Sequence, residues 1–365
     1  VKDTSPLSAR RQTRNVKVGP LWIGSAHPVL VQSMTNTDTR DVAATLAQIE
    51  ALHRAGCELV RLAVPDSSAV PALGEIVKAS PLPVAADIHF DHRLALAALE
   101  AGVAKLRLNP GNIGSSERVR AVAREASARK VPIRIGVNAG SLEKSLLELH
   151  GGPTAAALAE SALGHCSLLE DCGFCDIVVS LKASDVPTTV RANRIFAAQR
   201  DYPVHLGVTE AGTRLRGAVL SAAGLGILLA EGIGDTLRVS LTADPVEEIG
   251  VAWRILTALG LRRRGVEIIS CPTCGRTEID LIGLAEAVER RLAAVDKPLT
   301  VAVMGCVVNG PGEARQADFG IAGGRGSGLV FRRGEIVAKV KESELVDTLV
   351  RLIEEDDGAQ RAQDA

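Results

Sequence analysis

The sequence predicts an α/β chain: an N-terminal (β/α)8, or TIM, barrel followed by a small α+β domain. Three observations predict it. From residue 30 to 245, a short β-branched apolar run, a polar turn and an Ala- and Leu-rich helical stretch recur in that order. The recurrence makes eight units in about 220 residues, the count and length of such a barrel. The pattern then changes after Leu261-Arg262-Arg263-Arg264-Gly265, and 365 residues exceed one ordinary domain. The expected division is 1–260 for the barrel, 261–355 for the small domain and 356–365 for a frayed tail.

The expected barrel strands are Leu30–Met34, Glu58–Val64, Pro83–His89, Lys105–Leu108, Ile133–Asn138, Asp176–Lys182, Val204–Thr209 and Thr236–Leu241. Helices are expected between them at Asp41–Ala55, Arg93–Ala101, Ser115–Ala128 and Gly217–Ala230. A doubly wound open sheet is the competing fold, but no G-x-G-x-x-G follows the first strand.

Five of these apolar runs carry a cation near the middle: Arg61, Arg107, Arg134, Lys182 and Arg238. Side chains alternate faces along a strand, so Arg107 shares a face with Asn109, Arg134 with Asn138, Lys182 with Ser184, and Arg238 with Ser240. Asp87 and His89 share one too. In a barrel that face points inward, and its C-terminal end opens into the mouth where barrel active sites lie. A single buried Arg is commonly half of a structural ion pair. Five cannot all be neutralised by Asp87 and Glu210, the two inward acids that the pattern offers, so the mouth is expected to hold a small polyanion, most simply a diphosphate. Glu210, just after Thr209 at a strand end, is the candidate proton donor, with an Arg partner as its plainer role.

Composition narrows the ligand. Forty-two Lys+Arg against 43 Asp+Glu leave a formal net charge of −1, which argues against nucleic acid or an anionic membrane as partner. Five Phe, two Trp and one Tyr are too few for base-stacking platforms. The uncharged stretch Gly217–Ala230 is too short to span a bilayer, and Val1–Gly19 has no apolar signal core. A cytoplasmic enzyme is expected.

The small domain reads β-α-β-β-β-α: strand Val266–Ser270, a helix from Glu278 to Val295, strand Leu299–Met304, a hairpin turning at Arg333-Gly334, and a closing helix Ser343–Glu355. Of the seven cysteines, Cys271 and Cys274 are spaced C-x-x-C just past one strand, and Cys306 stands at the same end of the next parallel strand. A right-handed crossover sets those loops side by side, a geometry that suits iron–sulfur or zinc. Glu313, seven residues after Cys306, is the nearby hard ligand for a fourth position. Cys172 and Cys175 form a second C-x-x-C without a third partner, and with Cys57 and Cys166 they read as core thiols. His27, His53, His92, His150 and His165 read as surface or helix residues, and His205 as a residue at a strand start.

Three stretches together resemble one family. They are Gln32-Ser33-Met34-Thr35-Asn36-Thr37-Asp38-Thr39, Cys271-Pro272-Thr273-Cys274-Gly275-Arg276-Thr277, and Met304-Gly305-Cys306-Val307-Val308-Asn309-Gly310-Pro311-Gly312-Glu313. The family is that of the 4-hydroxy-3-methylbut-2-enyl diphosphate synthases, reductive enzymes of the non-mevalonate isoprenoid route, in their shorter bacterial form. The resemblance implies a 4Fe–4S cluster on Cys271, Cys274, Cys306 and Glu313, and 2-C-methyl-D-erythritol 2,4-cyclodiphosphate as substrate. It implies flavodoxin or ferredoxin as electron donor and a head-to-tail homodimer. Arg61, Arg107, Arg134, Asn138, Lys182, Arg238 and Ser240 match the family's diphosphate-contacting positions. Two rival readings make different predictions. A redox-silent phosphate-binding isomerase or transferase with a structural zinc would be colourless, and a plain iron–sulfur carrier would tolerate loss of the strand cations.

Overall fold

An antiparallel hairpin, β1 (Val16–Val18) and β2 (Leu21–Ile23), precedes the barrel and lies outside every sequence expectation. Its apolar residues Val16, Val18 and Ile23 pack on Leu30, Leu59 and Val178, which stand at the N-terminal ends of three barrel strands. The hairpin therefore closes the barrel floor, with its side chains buried at about 25 cal/mol per Å² of apolar surface. The computed structural model describes residues 8–275, 277, 279–306, 317–324 and 326–363, with side chains through residue 356. The chain divides into two compact units, Val1–Arg262 and Arg263–Ala365.

In the first unit, eight parallel strands follow: β3 (Leu30–Met34), β4 (Leu59–Ala63), β5 (Val84–Asp87), β6 (Lys105–Leu108), β7 (Ile133–Asn138), β8 (Ile177–Lys182), β9 (His205–Leu206) and β10 (Thr236–Leu237). Their order is β8-β7-β6-β5-β4-β3-β10-β9, and a parallel bridge between Val179 and Val204 joins the two ends into a ring. The last two strands are shorter than the apolar runs that encode them. Near the mouth, side chains replace ladder partners: the Leu241 N–H donates to the Glu248 carboxylate at 3.1 Å.

Helices cover the ring because their apolar residues recur at helical spacing. In the helix Ser116–Arg129 these are Val119, Val122, Ala123 and Ala126, all buried. Asp41 caps the helix Val42–Ala55 by accepting from the Ala44 N–H, and Gly56 ends it in the left-handed region at φ 100°.

In the second unit, β11 (Val266–Ser270), β12 (Leu299–Met304), β13 (Phe319–Gly324), β14 (Ser327–Arg332) and β15 (Glu335–Lys341) form a five-stranded sheet in chain order. The first two pairings are parallel and the last two antiparallel. Arg333 and Gly334 both have positive φ, the turn expected between β14 and β15. The helix Leu281–Leu292 is capped by Asp280 and is shorter than expected. The closing helix runs Leu345–Gln363, so backbone expected to fray after residue 355 continues as helix. Leu281, Val288, Leu349 and Ile353 from these helices pack with Val301, Phe319 and Val330 from the sheet into this unit's own core.

No helix among the described residues is long and apolar enough to cross a membrane.

Candidate active site

Pairing register puts the charged residues next to one another. Asp87 on β5 stands opposite Arg107 on β6, and Arg107 stands opposite Arg134 on β7. Arg107 Nη1 donates to Asp87 at 3.0 Å, and Arg61 Nε lies 3.6 Å from the same carboxylate. Burial works against the Asp87 charge, but Arg61, His89 and Arg107 hold its carboxyl well below the usual range. One acid thus serves two cations. Glycines make room for the side chains: a Cβ on Gly136 would stand 2.3 Å from Arg107 Nε, and one on Gly207 2.5 Å from Lys182 Nζ.

The third cation is held by an acid outside the sequence expectations. Glu248, buried in the first turn of the helix Pro245–Ala258, takes Arg238 Nε at 3.1 Å. Glu210, the expected inward acid, is exposed, with φ at 53°, on the loop beyond β9. β9 ends at Leu206, so strand alternation no longer governs Glu210.

Arg134 and Lys182 have no carboxylate partner among the described residues. Arg134 Nη1 donates to Ser180 Oγ at 2.7 Å, but its Nε and Nη2, and Arg107 Nε, are buried without a hydrogen-bond partner among the described residues. Burial, reinforced by the neighbouring cations, holds the pKa of Arg134 and of Lys182 well below its ordinary value. Burial also lowers Arg61, to about 10. A buried donor without an acceptor costs about 1–3 kcal/mol. The barrel therefore carries an excess of positive charge and unmet donors, the chemistry of an anion site.

A polar layer underlies these residues. Lys105 Nζ donates to Gln32 Oε1 at 3.1 Å from β6 to β3, strands with two others between them, so the bond crosses the barrel interior. His205 Nδ1 and Thr236 Oγ1 are 2.7 Å apart, and both residues are fully buried. The strand pattern contained this layer too, since Lys105 alternates with Arg107 and Asn109.

A cavity of about 350 Å³ opens at the C-terminal ends of β5, β6 and β7, lined among others by His89, Phe90, Arg107, Asn109, Asn138 and Ser141. A larger outer groove of about 780 Å³, beside Glu117, Arg120, Arg124 and Asp171, lacks the convergent cations. Within the mouth, Asn109 Oδ1 is engaged by the Gly136 N–H at 2.8 Å, a structural bond. Asn138, Thr209 and Ser240 are half-buried, and Ser184 is exposed beyond β8.

In the second unit, Cys271 follows β11 and Cys306 follows β12, strands paired in parallel through Ser270 and Val303. The Gly305 N–H donates to Cys271 Sγ at 3.3 Å, so the first thiol lies against the backbone that leads to the third. Cys274 is exposed, and its N–H donates to Thr277 Oγ1 at 3.2 Å. Among the described residues no three His, Cys, Asp or Glu side chains form a metal-binding group. Glu313 lies outside the described residues. The donors that are described fit an iron–sulfur group: soft thiols on adjacent loops, with a backbone N–H directed at sulfur.

The remaining cysteines and histidines divide by burial. Cys57 and Cys166 are buried, and burial pushes both thiols up to about 12. Cys172 Sγ bonds to Leu168 O at 3.2 Å, and Cys175 is exposed. His165 is a helix residue, as expected, in Ala155–Glu170. It is buried, its Nδ1 accepts from the Gly111 N–H at 3.2 Å, and its Nε2 lies 3.0 Å from Glu143. Because Nδ1 accepts, the ring proton sits on Nε2 and the pair ties the loop after β6 to the helix Ala155–Glu170.

Comparison with known proteins finds one family model for each of the two units. Residues 13–253 match the model of the GcpE TIM-barrel domain, and residues 267–355 that of the GcpE protein C-terminal domain. A relative from Geobacter sulfurreducens, 4-hydroxy-3-methylbut-2-en-1-yl diphosphate synthase (flavodoxin), is 62% identical over 345 residues, 94% of this chain and 98% of the relative. Proteins of the same name from Maridesulfovibrio salexigens and Clostridium perfringens are 61% and 58% identical. These cover 92% and 94% of this chain, and 94% and 99% of their own lengths. The chain belongs to the GcpE family.

Proposed function

We propose that this chain is an oxidoreductase that converts 2-C-methyl-D-erythritol 2,4-cyclodiphosphate to 4-hydroxy-3-methylbut-2-enyl diphosphate in isoprenoid biosynthesis. The supporting observation is the set of guanidinium N–H groups on Arg107 and Arg134 that are buried and unpartnered among the described residues, beside Lys182, which has no carboxylate partner among them either. A diphosphate supplies the missing acceptors and charge at once. The names of the relatives supply the diphosphate product and flavodoxin as electron donor, with ferredoxin as the other small carrier suited to the task.

The reaction consumes two electrons and protons, opens the ring at a carbon–oxygen bond and releases a hydroxyl as water. Cys271, Cys274 and Cys306, with Glu313 in the fourth place, would hold a 4Fe–4S cluster. When bound, that group supplies the electrons and a Lewis-acidic iron. The barrel's part is binding and orientation. Arg61, Arg107, Arg134, Lys182 and Arg238 grip the diphosphate oxygens, with Asn138 and Ser240 at the rim. Asp87 keeps Arg107 and Arg61 directed inward. Glu210, exposed on the loop beyond β9, is the candidate to deliver a proton to the leaving oxygen. The working unit is a head-to-tail homodimer in which the cluster-bearing unit of one copy serves the barrel of the other.

Anaerobic reconstitution tests the reading. The protein should turn brown, bind four irons and four sulfides per chain, and convert the cyclodiphosphate with reduced flavodoxin. A colourless, zinc-containing protein without labile sulfide would replace the reading with that of a redox-silent phosphate-binding enzyme.

A further inference from the structure

Among the described residues, the Glu248 carboxylate accepts four hydrogen bonds. Its Oε2 takes Arg238 Nε at 3.1 Å and the Ser33 hydroxyl at 3.0 Å. Its Oε1 takes Arg238 Nη2 at 3.3 Å and the Leu241 N–H at 3.1 Å. A carboxylate has about four such acceptor sites, so its capacity is filled. The contacts come from β3, from Arg238 and from the segment after β10, while Glu248 itself belongs to the helix Pro245–Ala258.

What remains of the guanidinium is then directed. With Nε and Nη2 engaged, Arg238 Nη1 lies 3.4 Å from the Met34 sulfur. Arg61 reaches the same sulfur through Nε and Nη2, at 3.2 and 2.9 Å. Two cations thus converge on one neutral thioether. Like charges this close separate unless something restrains one of them, and among the described residues the carboxylate partner of Arg61 is Asp87 alone, at 3.6 Å. The Leu241 bond further fixes the backbone beside Ser240.

We infer that Glu248 is a positioning residue: it clamps Arg238, and the backbone beside Ser240, in the orientation that receives a diphosphate oxygen. This rests on the proposed diphosphate site but not on the identity of the carbon skeleton or on the redox step. The effect has a distinctive sign. Charge alone would make loss of a carboxylate strengthen anion binding, whereas loss of a clamp weakens it.

The test is calorimetric titration of the full-length protein with inorganic pyrophosphate. Glu248→Gln should bind about 10-fold more weakly than wild type, despite carrying one negative charge fewer. In an Arg238→Ala background the same substitution should produce no further weakening, the non-additivity of two residues that act as one unit. In an Arg107→Ala background the full loss should persist. Unchanged or tighter binding by Glu248→Gln, or an equal loss with and without Arg238, overturns the inference. If Glu248→Gln does not fold, judged by circular dichroism, the cycle is run with Glu248→Asp, which keeps the charge but shortens the clamp. Weakening that depends on Arg238 supports the inference there, and weakening independent of it refutes it. Wild type that binds pyrophosphate without turning over the cyclodiphosphate would count against the proposed substrate and leave this result standing.

Discussion

Asp87 and Arg107 stand opposite each other on neighbouring parallel strands and are joined at 3.0 Å. Arg61 approaches the same carboxylate at 3.6 Å. A single acid thus holds two guanidinium groups at the mouth. Asp87→Asn should therefore destabilise the ligand-free protein by about 3–5 kcal/mol, the range for breaking a buried pair. A bound diphosphate replaces part of the lost negative charge. Thermal unfolding with and without pyrophosphate should show a larger ligand-induced rise in Tm for the variant than for wild type.

Binding should take up protons. Burial and the cations Arg134, Arg61, Arg238 and Arg107 hold the Lys182 pKa well below that of an ordinary lysine. A diphosphate beside it favours the charged ammonium and raises that pKa. Affinity is then greatest below the ligand-free pKa and falls as pH rises through it. Titrations in buffers of different ionisation enthalpy should give a positive proton uptake, and Lys182→Met should reduce it.

Gly136 leaves room for a cation. A Cβ there would stand 2.3 Å from Arg107 Nε, so Gly136→Ala must displace that side chain from Asp87. We expect kcat/KM to fall about 10-fold or more, since small misplacements of binding groups are costly. Circular dichroism should confirm an intact barrel.

On the proposed cluster assignment, substituting a thiol and substituting the carboxylate should give different outcomes. Cys306→Ser should prevent normal cluster assembly, seen as loss of the visible absorbance after anaerobic reconstitution. Glu313→Ala should still assemble a cluster on three thiols, but one that loses iron faster and supports little turnover.

Much of this site is legible in the sequence, for a physical reason. A charge inside an apolar run has few tolerable places, and strand alternation then fixes its face, so Arg61, Arg107, Arg134 and Lys182 declare themselves. The C-x-x-C after β11 and Cys306 after β12 are legible through their spacing and strand ends. Glu248 is not, because an acid in a helix's first turn is ordinary N-terminal chemistry. Only tertiary structure reveals that it meets Arg238. For Glu210 the sequence misleads only about its face: β9 ends at Leu206, four residues before it, so strand alternation does not carry that far. His165 lies in an Ala- and Leu-rich helix that gives no hint of Glu143. The hairpin Val16–Ile23 left a weak signal, the alternating Val16-Lys17-Val18 and the apolar Leu21-Trp22-Ile23 on either side of Gly19-Pro20, but three-residue strands fall below the length at which a pattern is distinctive.

The most direct test of the central claim is anaerobic turnover of 2-C-methyl-D-erythritol 2,4-cyclodiphosphate by the reconstituted protein, with a chemical reductant in place of the protein donor. We expect 4-hydroxy-3-methylbut-2-enyl diphosphate to form, and Arg134→Ala to lower kcat/KM by at least 10-fold with the cluster intact. A fully loaded protein that leaves the cyclodiphosphate unchanged, or an Arg134→Ala variant as active as wild type, would contradict the account.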